Sequence, residues 1–187
     1  MIQQKKYRRK KAFTLMEMLL YIALSAFVFF MIIETGLSVV TTFSRSKAQR
    51  DLNENARFVL EFITQKIHQA DDVIVGSSTF GTHPGVLTLD YPGSGTDVLF
   101  ETYTKNISLP NGSSYNLRKL RIKEGTASYQ NLTNDKVDVT NFVVRNLTRG
   151  SEAKNINIEI TFQYFNPQNI PEYNLTYTVE TAVSLRK

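Results

Sequence analysis

Residues 10–33 read KKAFTLMEMLLYIALSAFVFFMII, where a basic segment meets a long apolar one. The basic side carries six cations within residues 5–11. From Phe13 to Ile33 the only charged residue is Glu17. As a helix this stretch is about 31 Å long, which matches the roughly 30 Å core of a bilayer. The sequence therefore predicts a membrane-spanning helix near the N-terminus.

The residues on either side of this span indicate its orientation in the membrane and whether it is retained after export. Lys and Arg on the N-terminal side favour a cytoplasmic N-terminus. Residues 34–37 read ETGL, which lacks the small-residue pattern of a signal-peptidase site. We expect the span to be retained and the rest of the chain to face outward.

Glu17 is the unusual residue of the span. A carboxylate at mid-bilayer costs on the order of 2.5–3.5 kcal/mol, and less near an interface, so such a residue normally has a partner. One interpretation is that Glu17 reaches water at the bilayer edge or interacts with the dipole of the helix N-terminus. The residues around it offer another.

A basic leader, a small residue and Phe-Thr-Leu-x-Glu on an apolar helix resemble the processing site of type IV pilins and pseudopilins. The resemblance implies that prepilin peptidase, a membrane aspartyl protease, cuts between Ala12 and Phe13 and methylates the new α-amine. Thr14 and Leu15 would belong to the recognition motif. Glu17 would pair with the amine of a neighbouring subunit. Ala12 departs from the Gly that usually precedes the cut, so we expect slower processing.

Loss of the leader changes what the net charge indicates. The formal net charge of +5 by itself suggests an acidic partner such as nucleic acid or anionic lipid. Residues 1–12 hold six cations and no acid, so their removal lowers the charge by six, to −1. Global charge is therefore no argument for nucleic-acid binding.

Composition excludes several kinds of chemistry. The chain has no Cys, which excludes disulfides and thiol catalysis, and its two His are too few for a zinc site on their own. Neither a phosphate-binding glycine loop nor a G-x-S-x-G motif occurs in the sequence. We therefore predict a protein that is not an enzyme and that uses no cofactor and no metal.

Beyond the span the chain still has a helical pattern. Charged residues fill much of the opposite face, and no Pro occurs before Pro84. Residues 38–42 have weaker helix propensity because they combine Ser with β-branched residues. We expect one helix from Phe13 to about Gln69, roughly 85 Å long. Its second half carries an apolar stripe at three- and four-residue steps, formed by Leu52, Ala56, Val59, Leu60, Ile63 and Ile67.

After residue 72 the hydrophobic pattern changes to period two. The clearest strand is 155–165, and a phase slip between Val139 and Phe142 predicts a bulge. One apolar face per strand predicts an antiparallel sheet covered by the amphipathic helix, which is an α+β fold and also the pilin architecture. The other predicted strands cover residues 87–91, 98–104, 117–123, 137–144 and 175–185.

We divide the chain into a removed leader (1–12), a membrane or filament-core helix (13–35), an amphipathic helix (36–72) and a β head (73–187). Features of the later segments resemble larger minor pilins of the J/W type. They are Asn55-Ala56-Arg57, Asp138-Val139-Thr140 and the ending Val183-Ser184-Leu185-Arg186.

Charged residues at the end of the helix and in the head form candidate sites. Lys119, Arg121 and Lys123 share one strand face and could meet DNA phosphates or the acids of a neighbouring subunit. A solvated face that discourages edge pairing is the favoured interpretation. Asp71 with Asp72, or Asn134 and Asp135 with Asp138, could bind a cation weakly, but turn and capping roles are the favoured interpretation.

Three hypotheses about function follow. The first is a minor pilin or pseudopilin, a structural subunit of a bacterial type IV pilus or type II secretion-like filament. It would be inserted in the inner membrane with its head outside, and would contact the peptidase, other subunits, the assembly platform and lipid. The second is a tip subunit that binds DNA or a surface. The third is an uncut, signal-anchored protein with a receptor-like or enzymatic head.

Overall fold

The computed structural model describes residues 13–93, 95–110, 112–148 and 155–185. The first element is a single helix, α1, from Leu15 to Gln69. It runs through the stretch of weak propensity, where the hydroxyls of Thr41 and Thr42 donate to the carbonyl oxygen of Ser38 at 2.9 and 2.8 Å. The predicted continuous helix is therefore confirmed, and these side chains satisfy their own hydroxyls within it.

Contacts divide the chain into two compact units, Met1–Phe43 and Ser44–Lys187. In the first unit every described side chain, from residue 13 to residue 43, is exposed. We call this stretch the apolar segment, and we call the second unit the head. Within the head, α1 buries a stripe that we call the helix stripe, formed by Ala48, Leu52, Ala56, Val59, Ile63 and Ile67.

The head contains two antiparallel sheets. The first has five strands in the order β1-β2-β3-β4-β5, and the second has three in the order β6-β7-β8. Two single-turn 3₁₀ helices lie at Val75–Ser77 and Pro171–Tyr173. The strands are β1 Asp72–Val73, β2 Val86–Asp90, β3 Val98–Ser108, β4 Ser114–Glu124, β5 Gln130–Asn131, β6 Val137–Asn146, β7 Asn155–Tyr164 and β8 Thr176–Ser184.

One hydrophobic core joins the helix stripe to the inner faces of both sheets. Its largest fully buried side chains include Phe100 from the first sheet, and Phe142 and Phe162 from the second. Burying a side chain of this size contributes about 1.5–3 kcal/mol. The predicted α+β fold, with a helix packed on antiparallel sheet, is confirmed. The strands of the head are divided between two sheets.

The predicted irregularity in β6 is also present. The pairing of β6 with β7 shifts register between Val139 and Asn141, leaving Thr140 outside the ladder. The Thr140 hydroxyl donates to the carbonyl oxygen of Thr161 at 3.3 Å. The extra residue keeps both Val139 and Phe142 on the buried face, although they are three positions apart.

The edge of β6 that faces away from β7 is covered by the loop 81–85. Gly81 and Gly85 donate backbone hydrogen bonds to the carbonyl oxygens of Val144 and Phe142, each at 2.8 Å. His83 accepts from the backbone N–H of Phe142 through Nδ1 at 3.0 Å. A Cβ atom on Gly85 would lie 2.8 Å from the Phe142 oxygen, so only glycine permits this close approach.

Candidate functional site

The apolar segment is the largest hydrophobic surface among the described residues. Its Leu, Ile, Phe, Met and Val side chains are roughly half to four-fifths exposed. A helix that is apolar on all sides is normally surrounded by lipid or by other helices. α1 is the one helix in the described part that is long and apolar enough to cross a membrane, which is consistent with a single-pass anchor.

The start of this helix is capped by Thr14. Its Oγ1 accepts a hydrogen bond from the backbone N–H of Glu17 at 3.3 Å, and its carbonyl accepts from Met18 at 3.2 Å. Thr-x-x-Glu at a helix start is the capping-box pattern, in which the acid also interacts favourably with the helix dipole. Sequence reasoning assigned Thr14 to peptidase recognition and missed this role, although the four-residue pattern could have indicated it.

Glu17 therefore belongs to the N-terminal cap of α1, in addition to its predicted role in assembly. It has no cationic partner within the described residues, and Phe13 contacts Tyr21 edge-on at 6.2 Å between ring centroids. The predicted cleavage site involves Ala12, which lies outside the described residues. The assignments of cleavage, methylation and subunit pairing remain predictions.

The three cations predicted to share one face of β4, Lys119, Arg121 and Lys123, lie in three different environments. Lys119 is buried, with only 2 % of its surface exposed. Its ammonium pairs with Asp135, whose other oxygen accepts from Lys105 at 2.8 Å. Hydrogen bonds from Lys105, and then from Lys119, hold the pKa of the Asp135 carboxyl below its usual value. The interpretation of all three cations as a solvated face is wrong for Lys119.

Lys119 is buried because the segment after β5 covers it, and sequence periodicity does not predict the path of that segment. After β5 the chain runs along β4, and Leu132 donates to the carbonyl of Leu120 at 2.9 Å. The Thr133 hydroxyl accepts from the backbone N–H of Leu120 at 3.3 Å, and both residues of this segment are buried. This path brings Asp135 onto Lys119 and excludes water from the ammonium.

Arg121 is also paired within the chain. Its guanidinium lies 2.6 Å from a carboxylate oxygen of Glu101, and 4.6 and 3.7 Å from the ring centroids of Tyr103 and Tyr129. Lys123 lies 5.5 Å from the Tyr129 ring and has no acidic partner among the described residues. Two of the three cations, Lys119 and Arg121, are therefore paired with acids of the same chain. Nucleic-acid binding by this strand face remains a prediction.

Three of the candidate cation ligands accept hydrogen bonds from the backbone, whereas Asp135 pairs with Lys105 and Lys119. Asp72 accepts from the N–H of Val73 at 2.8 Å, and Asp138 accepts from the N–H of Arg118 at 2.7 Å. Asn134 accepts from Lys136 at 2.9 Å in a turn. No group of three His, Asp or Glu residues in the described part of the chain could hold a metal ion. The turn and capping interpretation therefore fits these contacts.

A cleft of about 440 Å³ lies where the end of α1 meets the loops after β2 and β4. The hydroxyl of Tyr91 donates to the carbonyl oxygen of Lys66 at 2.5 Å, and the Lys66 ammonium pairs with Glu124 at 2.7 Å. Burial, and then the charge of Glu124, raises the pKa of Tyr91 to about 12. These contacts fasten the last turn of the helix to the first sheet.

No protein-family model, no curated protein and no solved structure matches this chain. A long apolar N-terminal helix combined with an antiparallel sheet is consistent with a pilin-like fold.

Proposed function

We propose that this chain is a minor pilin or pseudopilin, a structural subunit of a bacterial envelope filament. Before assembly the subunit would reside in the inner membrane. The observation that carries the proposal is the apolar segment, a helix with all of its described side chains exposed and with Glu17 in its first turn. Such a surface needs lipid or other helices around it. The Phe-Thr-Leu-x-Glu junction supports the choice of a filament subunit over a plain anchor.

Assembly would exchange lipid contacts for helix–helix contacts along the apolar segment. In hydrocarbon this exchange is driven by packing and by polar contacts rather than by the hydrophobic effect. A carboxylate that stays buried in such a bundle needs a cation. In this proposal cleavage creates an α-amine at Phe13 of every subunit, four positions before Glu17. Glu17 of one subunit then pairs with the α-amine of its neighbour.

The first experiment determines the N-terminal residue and the intact mass of the full chain from a host with an active prepilin peptidase. We expect a chain that begins at methylated Phe13. A chain that retains residues 1–12 in this host would overturn the pilin route and favour a signal-anchored protein. Ala12→Leu is the matched variant and should accumulate uncut precursor.

The second experiment separates the charge of Glu17 from its place in the capping box. Glu17→Gln removes the charge but retains a residue that fits the capping pattern, whereas Glu17→Val removes both. We expect both variants to insert in the membrane and both to be depleted from sheared filaments. Glu34→Gln, an acid-to-amide change on the same exposed helix, is the control and should be incorporated normally. Normal incorporation of Glu17→Gln would contradict the pairing role.

A further inference from the structure

Strand β8 has an edge that no other described strand covers. β1 and β5, the outer strands of the first sheet, are two residues long, and the loop 81–85 covers β6. The part of β3 beyond Glu101 also extends past its neighbour β2, but it carries Lys105, a residue type that protects edges from pairing. β8 pairs with β7 over its full nine residues and ends the second sheet.

The hydrogen-bond pattern shows which backbone groups are free on this edge. Tyr164 donates to the carbonyl of Leu175 at 2.9 Å, so these opposed residues form a hydrogen-bonded pair. In an antiparallel ladder such pairs alternate, so odd-numbered residues of β8 direct their backbone groups to β7. The even-numbered residues direct theirs outward, and no described residue bonds them. They are Thr176, Thr178, Glu180, Ala182 and Ser184.

The sequence of β8 has little protection against pairing. It reads TYTVETAVS, without Pro or Lys, and is rich in β-branched residues. On its core face Val183 is buried but Tyr177 is 40 % exposed, and Val179 is only partly buried. A further strand would therefore cover apolar side chains as well as backbone groups.

Glu180 determines which strand fits. It lies directly opposite Glu159, whose carboxylate pairs with Arg145 at 2.6 Å. Glu180 accepts from the amide of Asn157 at 2.9 Å but has no cation among the described residues. Of these two adjacent carboxylates only Glu159 pairs with a cation among the described residues, so Glu180 still lacks an opposite charge on the side of the free edge.

We propose that the free edge of β8 binds, by antiparallel strand addition, an extended segment of another protein that alternates apolar and polar residues and carries Lys or Arg opposite Glu180. The main-chain bonds supply affinity, while the alternating side chains and the cation supply specificity. This interaction surface does not depend on the proposed filament role, and the test of one does not decide the other.

A second copy of β8 is the less suitable occupant because of Glu180. In the register that pairs all five outward residues, position 180 is the centre, and Glu180 of one copy would lie directly opposite Glu180 of the other. Like charges at opposed positions destabilise a strand pair, so this residue disfavours self-association. A single exchange of charge should therefore convert a poor ligand into a good one.

The test uses two fluorescent peptides with the sequence of residues 176–184, one native and one carrying Glu180→Lys. Both carry N-methyl groups at Val179 and Val183, which block the peptide's other edge and prevent stacking. Binding to the full chain in detergent is followed by anisotropy. We expect the Lys peptide to bind about three- to tenfold more tightly than the native one. Equal binding of the two, or no binding of either, would overturn the proposal.

Two protein variants check the register and the charge. Ala182→Pro removes an outward N–H, which an edge strand tolerates, and should abolish peptide binding while the head stays folded. Glu180→Lys should reverse the preference, so that the native peptide binds more tightly; this control does not depend on the tolerance of Pro. A Lys peptide N-methylated at Thr178 and Ala182 instead should not bind. Unchanged preference in Glu180→Lys would refute pairing at this position.

Discussion

The two parts of α1 have the same secondary structure but opposite environments. The apolar segment exposes every described side chain, whereas the continuation in the head buries Ala48, Leu52, Ala56, Val59, Ile63 and Ile67. The first part is apolar on all sides, and the second is apolar along one stripe. Apolar character alone therefore does not identify a core, because among the described residues only the periodic part of the helix is buried against other elements.

The difference predicts where the stability of the chain resides. The head has a complete core that includes the helix stripe, so changes to the stripe should affect its free energy of unfolding. Changes to the apolar segment should affect membrane insertion or assembly and leave the head unchanged. We expect the effect on the head to decrease from Ile63→Ala through Asp135→Asn and Tyr91→Phe to Thr14→Ala.

The largest effect is expected from Ile63→Ala. Ile63 is fully buried, so truncation removes buried methyl groups and leaves a cavity. We expect the free energy of unfolding of the head to fall by about 2–5 kcal/mol. Denaturant unfolding of the full chain in mild detergent measures it, with a tyrosine or aromatic circular dichroism signal from the head.

The matched control is Ile32→Ala in the apolar segment. Ile32 is 63 % exposed, so the same truncation should change the stability of the head by less than about 0.5 kcal/mol. Equal destabilisation by the two variants would show that the two parts of the helix are not energetically separate.

The next effect is expected from Asp135→Asn. This change leaves the buried ammonium of Lys119 without its carboxylate. We expect a loss of about 1–3 kcal/mol, less than for a fully buried pair because Asp135 is half-exposed. Thermal unfolding of the variant at pH 7 measures the loss.

Lys105→Met provides the control for that prediction. It removes the more exposed cation from the same carboxylate and should have the smaller effect. A larger loss in Lys105→Met than in Asp135→Asn would contradict the importance of the buried ammonium.

These contacts also show what the sequence could and could not predict. Periodicity predicted α1, the main strands and five of the six residues of the helix stripe, because each apolar pattern is local and matches one face. The phase slip between Val139 and Phe142 predicted the bulge for the same reason. The predicted Leu60 is only partly buried, and the buried Ala48 was not predicted. Local patterns do not report which sheet a strand joins, so the division into two sheets was not predictable.

The charged residues were the least predictable part of the candidate site. Alternation placed Lys119 on an outer strand face, but burial of that face depends on where the chain runs after β5. The pairing of Arg121 with Glu101 similarly depends on strand register. Thr14 is the contrasting case, because its cap is encoded within four residues and was readable from the sequence.

A smaller effect is expected from the ionisation of Tyr91. Its pKa is about 12 in the folded chain, against about 10 when unfolded, so the folded state retains a proton that the unfolded state loses. The associated stability is present below pH 10 and is lost as the pH rises from about 10 to 12. It amounts to under about 1 kcal/mol, because solvent screens this partly exposed ring.

Tyr91→Phe isolates this contribution. The variant lacks the hydroxyl that donates to Lys66, so its stability should be lower at pH 8 and should fall less steeply between pH 10 and 12. Parallel pH profiles for the parent and Tyr91→Phe would contradict the assignment. Deprotonation of lysines remote from Tyr91 affects both proteins alike and cancels in the difference, whereas Lys66, whose ammonium lies 5.9 Å from the Tyr91 ring, does not cancel and is controlled by repeating both profiles in Lys66→Met.

The smallest effect on the head is expected from Thr14→Ala. Loss of this cap should destabilise the first turn of α1 by about 0.5–1 kcal/mol and leave the unfolding of the head unchanged, because the apolar segment has no buried residue among those described. Amide hydrogen exchange of residues 15–18 in detergent should accelerate, whereas Thr14→Ser, which retains a hydroxyl acceptor, should exchange like the parent. Slower unfolding or a changed midpoint of the head in Thr14→Ala would show that the helix start and the core are coupled. Unchanged exchange in the first turn would mean that Thr14 does not cap the helix, and the position of Glu17 would then have to be explained by its charge alone.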